Sequence, residues 1–175
     1  MGGEGAAMLA DLPMRLPDLL LWGLLATVAM TTILQGAQGM GLSRLSLPFL
    51  VGTFVVADRR RAVVLGFALY TIGGWLFASL YFLLFDSVGL HNWWFGAFVG
   101  VLHGLFLLVC ALPLLPYAHP RMASEYDGPT ALRQLEPPGF MGLNYGYRTP
   151  LTTLLGQAIY GAVLGGFAQM LNVPS

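Results

Sequence analysis

Four apolar runs, each near the roughly 20 residues needed to cross the hydrocarbon core of a bilayer, constrain this chain more than any other feature. They lie at about 18–40, 62–85, 93–115 and 151–171. A soluble domain carries about 25% charged residues. Here 9% of the 175 residues are charged and 57% are hydrophobic, too little polar surface to cover a body of this size in water. The expected fold is an all-α membrane protein with four transmembrane helices in one domain over residues 18–171. An N-terminal interfacial segment, 1–17, precedes it, with Met8, Leu9, Leu12, Met14 and Leu16 on a short helix lying at the membrane surface. Pro17-Asp18 suits the start of the first span, since proline is tolerated in the first turn and an acid complements the helix dipole.

The connections differ in kind. Asp86–Asn92 is a short turn, so the second and third spans should be antiparallel neighbours. In the 41–61 loop, Leu47–Ala57 is apolar but too short to span, and Pro48 follows Ser46 where a helix can begin. This predicts a short interfacial or re-entrant helix after the first span, closed by the Asp58-Arg59-Arg60-Arg61 cluster. The 116–150 loop carries prolines at 116, 120, 129, 137, 138 and 150, which argue against a continuous helix. A single helical turn is expected at 129–135.

Small and polar residues recur at four-residue spacing within the runs. The third opens on Trp93-Trp94, a residue type that settles at the membrane interface, and carries Gly96, Gly100 and Gly104 on one face. Gly74 shares a face with Gly66, Tyr70 and Ala78 in the second run; Gly161 and Gly165 share one with Thr153, Gln157 and Gln169 in the fourth. These glycines are helix-packing candidates, because a missing side chain lets a neighbouring backbone approach. Gly23, Thr27, Thr31 and Gln35 form a matching stripe in the first run, and the first and fourth stripes should hydrogen-bond to one another.

His103 is the only histidine inside an apolar run, and an ionisable side chain at mid-depth is a candidate site by default. Neutral imidazole can ligate a haem iron or a chlorophyll magnesium, or bond to a hydroxyl such as Tyr70 or Thr31 on the next helix. His91 and His119 flank the span about 42 Å apart if helical throughout, so neither completes a two-histidine haem site with the other. Cys110, the single cysteine, permits no internal disulfide. There is no GxSxG, HExxH or phosphate-cradling loop, and no paired carboxylates at usable spacing; no metal site or catalytic residue is expected.

All eight basic residues are arginine. Arg44, Arg59, Arg60, Arg61, Arg121, Arg133 and Arg148 fall in the two long loops, and only Arg15 lies on the other side. The positive-inside rule then places both loops in the cytoplasm of a bacterial inner membrane and both termini in the periplasm. No basic run is long enough to track a phosphate backbone, so nucleic acid is not an expected partner.

The segments GLLATVAMT (23–31), LSLPFLVGT (45–53), GFALYTIGGWLFASLYFLLF (66–85) and GAFVGVLHG (96–104) resemble small bacterial four-helix integral membrane proteins of unknown function. The likeness covers about residues 20–115 and implies a fold without an activity. Those proteins often carry a histidine in the second span, where this chain has Tyr70. The expected role is a non-enzymatic accessory or structural subunit of a larger membrane complex, respiratory or photosynthetic, with the bilayer and other membrane subunits as partners. The alternatives are a haem- or chlorophyll-binding subunit with His103 as axial ligand, and a small channel or transporter.

Overall fold

The computed structural model describes residues 2–124 and 128–171, with side chains from Leu16 onward. Its elements are helices α1 (Gly2–Gly39), α2 (Leu47–Val55), α3 (Arg59–Val88) and α4 (Trp93–Phe106), a π-helical segment (Leu107–Ala111), α5 (Leu112–Ala118), a 3-10 turn (Phe140–Tyr145) and α6 (Thr149–Leu171). Four stretches are long and apolar enough to cross a membrane: Leu16–Gly39, Arg59–Val88, Trp93–Ala118 and Thr149–Leu171. The short helix expected after the first span is α2. The backbone runs helically through Pro17, so residues 2–17 and the first span form one rod. The side chains of the expected interfacial face before Leu16 lie outside the described residues.

Local chemistry sets the helix ends. Asp58 accepts from the Arg61 amide at 2.9 Å, which starts α3 at Arg59, three residues ahead of the apolar run. Gly89, left-handed at φ 72°, ends it. Asn92 then caps α4 by accepting from the Phe95 amide at 2.9 Å.

The third span continues to Ala118 through two prolines, and the reason is the π segment. Pro113 has no amide hydrogen and its ring would crowd the carbonyl four residues back. Immediately before it the Leu112 amide donates to Leu107, five residues back, widening the turn that the proline would otherwise break. In the long loop, Pro129–Leu135 is not helical. Thr130 and Arg133 close a turn on each other, and Leu135 lies alongside Met122 in an isolated parallel bridge.

Two apolar cores result. One lies between the spans and includes Ala26, Met30, Leu34, Ala78, Tyr81, Phe85, Tyr160 and Leu164. The other joins α2 to the arginine-rich end, through Leu45, Leu50, Leu108, Leu112, Met122 and Tyr145.

Candidate functional site

The glycines of α4 and α6 meet backbone to backbone. A Cβ on Gly96 would overlap the Gly161 carbonyl, and one on Gly161 the Gly96 carbonyl. A Cβ on Gly100 would overlap the Gln157 carbonyl, and one on Gly165 the Asn92 carbonyl. Gly104 faces the side chains of Leu154 and Gln157 at 3.0–3.3 Å. Gly74 packs on the Thr27 hydroxyl of α1, while Gly66 serves a different contact: it lies against the Pro48 carbonyl of α2, as Gly52 of α2 lies against Ala62. The two polar stripes do not bond to each other. Thr27 and Thr31 donate to carbonyls of their own helix at 2.8 and 2.7 Å, and α1 meets α6 through Met30 and Leu34 against Gly156. A threonine hydroxyl reaches the carbonyl one turn back without crossing an interface, so it needs no partner helix.

His103 points from α4 toward α3. Its Nδ1 lies 3.3 Å from the Tyr81 hydroxyl, not near Tyr70 or Thr31, and its ring tilts over Phe77 with centroids 4.3 Å apart. Its Nε2 is enclosed by the chain and has no hydrogen-bond partner; Thr153 Oγ1 and Gln157 Oε1 on α6 are orphaned likewise. Tyr70 instead donates to the Met30 sulfur at 3.6 Å. Tyr81 stacks edge-on against Tyr160, whose hydroxyl donates to the Gly74 carbonyl at 2.6 Å. Among the described residues no group of three or more His, Cys, Asp and Glu could hold a metal ion. The Tyr81 contact is made by Nδ1 and leaves Nε2 as the ring nitrogen without a partner.

A second constellation lies at the arginine-rich end, and the sequence offered little sign of it. The long loop straps α2 and the residues just before it at two places. The Arg121 guanidinium donates to the carbonyls of Thr53, Phe54 and Val55, the unpaired C-terminal acceptors of α2. His119, 1% exposed, holds the same helix from below. Its Nε2 lies 3.2 Å from the Leu50 carbonyl and 3.1 Å from the Thr53 hydroxyl, and its Nδ1 accepts from the Arg121 amide at 3.1 Å. That pattern fixes the neutral imidazole with its proton on Nε2. Burial pushes the His119 pKa below the ordinary histidine value, the nearby Arg121 charge adds to this, and the Leu50 bond opposes it.

On the other flank, Ser43 and Thr149 share a hydrogen bond at 2.8 Å, and Arg44 pairs with Glu136 at 3.0 Å while reaching the Asn144 carbonyl. Tyr145 donates to the Glu136 carbonyl at 2.7 Å. Burial and the Glu136 charge raise its pKa, against a smaller lowering by Arg44. A cavity of about 590 Å³ opens in this strap, with Ser124, Gln134, Glu136 and Asn144 among its lining residues. His119 and Arg121 lie 66 or more residues from their α2 partners, and nothing in local spacing marks such a pairing.

Comparison with known protein families, with characterised proteins and with solved structures finds no match to this chain. What stands is a small all-α protein with four apolar helices of membrane-spanning length.

Proposed function

We propose that the chain is a non-enzymatic accessory subunit of a larger bacterial inner-membrane complex, respiratory or photosynthetic. In this reading the strapped loops face the cytoplasm and both termini the periplasm. The observation that carries it is the α4–α6 contact, where Gly96, Gly100, Gly161 and Gly165 bring two backbones together and leave no room between them for a solute. No Asp, Glu or Arg lies inside a span away from its ends, as proton-coupled transport would want. A solid bundle with a braced polar cap is suited to holding other subunits. The test is purification from native membranes in mild detergent, with mass spectrometry and an absorption spectrum on the same fraction. Stoichiometric membrane subunits are expected, and a species free of partners contradicts the reading.

The enclosed, unpartnered Nε2 of His103 favours one other reading, that of an axial ligand. In it Nε2 would be the ligand, while Nδ1 keeps its bond to the Tyr81 hydroxyl. A pigment band in the same fraction, lost in His103→Ala, would establish it.

A further inference from the structure

We propose that the Phe140–Tyr145 turn is inserted in the bilayer and that lipid acyl chains cover Phe140 and Leu143. This goes beyond the accessory role and does not depend on it.

Depth is the first argument. A Cβ on Gly142 would sit 3.2 Å from Leu112 Cδ1 and 3.1 Å from Thr149 Cγ2, so the turn packs between the third and fourth spans. Leu112 precedes the end of the third span at Ala118 by six residues, about 9 Å along a helix axis. The turn also touches the Leu107–Ala111 segment, deeper still. Thr149 is the first residue of the fourth span, so the turn sits level with that span's end and beside the last turns of the third, not beyond the bundle.

Chemistry is the second. Residues 137–147, PPGFMGLNYGY, carry no charged side chain. Several of their backbone groups find partners within the protein, among them the Asn144 carbonyl, which accepts from the Arg44 guanidinium. The Gly142 amide donates to Gly139, Asn144 to Pro138 and Gly146 to Leu143, while the Arg44 amide donates to the Tyr145 carbonyl. The Asn144 side chain donates to the Pro137 carbonyl at 3.0 Å.

The third is the direction of the side chains. Met141, left-handed at φ 54°, is followed by Gly142 at φ 71°. A non-glycine residue adopts this conformation only where its surroundings impose it. Here the reversal turns Met141 onto the second core and leaves Phe140 61% and Leu143 47% exposed. Leu114 and Leu151 of the flanking spans are exposed apolar side chains as well. Tyr117 and Tyr147 are exposed at the ends of the same spans, and the Arg148 guanidinium lies 5.1 Å from the Tyr147 ring centroid. That pairing suits the headgroup level, from which a long basic side chain reaches water.

The test uses the full chain with Cys110→Ala, a nitroxide label at Phe140→Cys or Leu143→Cys, and phosphatidylcholine vesicles. Leu76→Cys, on the outer face of α3, is the lipid reference, and Gln134→Cys, exposed in the loop, is the water reference. Collisions with oxygen and with a water-soluble nickel chelate report depth. The proposal expects labels at 140 and 143 to match position 76, with oxygen dominant. A nickel-dominant pattern like that of position 134 overturns it. Shielding from both reagents also overturns it, because another protein surface would then be the cover.

Discussion

The two faces of α4 are built on opposite plans. Toward α6 the helix presents Gly96 and Gly100 and meets another backbone directly. Toward α3 it presents Phe95 and His103, and the gap is filled by the rings of Phe77, Tyr81 and Phe85. The chain joins α3 to α4 by a short turn, yet their backbones stay apart, while α4 and α6, separated by the whole long loop, pack closely. Adjacency in sequence therefore does not decide contact here; side-chain size does. Without a hydrophobic drive between helices in lipid, backbone approach gives the most van der Waals contact per turn. A ring-filled interface is wider and leaves polar tips such as His103 Nε2 to find partners or go without.

Breaking the tight face should cost most. Gly100→Leu would drive a branched side chain into the Gln157 carbonyl and Ala158, and about 3 kcal/mol of stability or more should be lost. Unfolding in mixed detergent would show it. If Gly100→Leu melts like the parent, the α4–α6 seam is not where the structure places it.

The ring-filled face should give smaller effects. Tyr160→Phe removes the 2.6 Å bond to Gly74 while keeping the ring, for an expected loss of about 0.6–1.7 kcal/mol. Tyr81→Phe and His103→Phe, alone and together, should show a coupling of about 0.6 kcal/mol. His103→Phe alone should be close to neutral, because it also removes an orphaned nitrogen. A large loss there would mean that Nε2 has a partner of consequence.

The smallest effect concerns the strap, and its sign follows from His119. Its folded pKa is depressed, so its contribution is complete above the ordinary histidine value of 6.5 and is lost as pH falls below that value. Protonating Nδ1 would set it against the Arg121 amide that it now accepts from. Stability should therefore fall on acidification through this range, and His119→Gln should flatten that slope. An unchanged slope in the variant would assign the pH dependence elsewhere.

The spans and α2 were legible because bilayer thickness and proline placement act locally: a run of some 20 apolar residues admits few structures. The glycine spacing in α4 and α6 showed which faces permit close approach, but not which partner takes each. Gly66 shares its stripe with Gly74 yet packs on α2, since the hairpin formed by α2 and α3 brings Pro48 alongside it. The π segment was hidden because it answers a steric problem created by Pro113, one residue past the register it alters. The strap was hidden for a different reason. Arg121 and His119 are ordinary loop residues until the third span delivers them beneath the free carbonyls of α2.

The most direct test of the contrast between the two plans adds one methyl group at two glycines. Gly161→Ala and Gly73→Ala make the same chemical change, but a Cβ at 161 would overlap the Gly96 carbonyl, whereas one at 73 meets nothing within 4 Å. Unfolding free energies of both variants should be measured in one bilayer mimic. The structure predicts a clear loss for Gly161→Ala and, for Gly73→Ala, no loss but a small gain from helix propensity. Equal stabilities for the two would contradict a bundle held by backbone contact between α4 and α6.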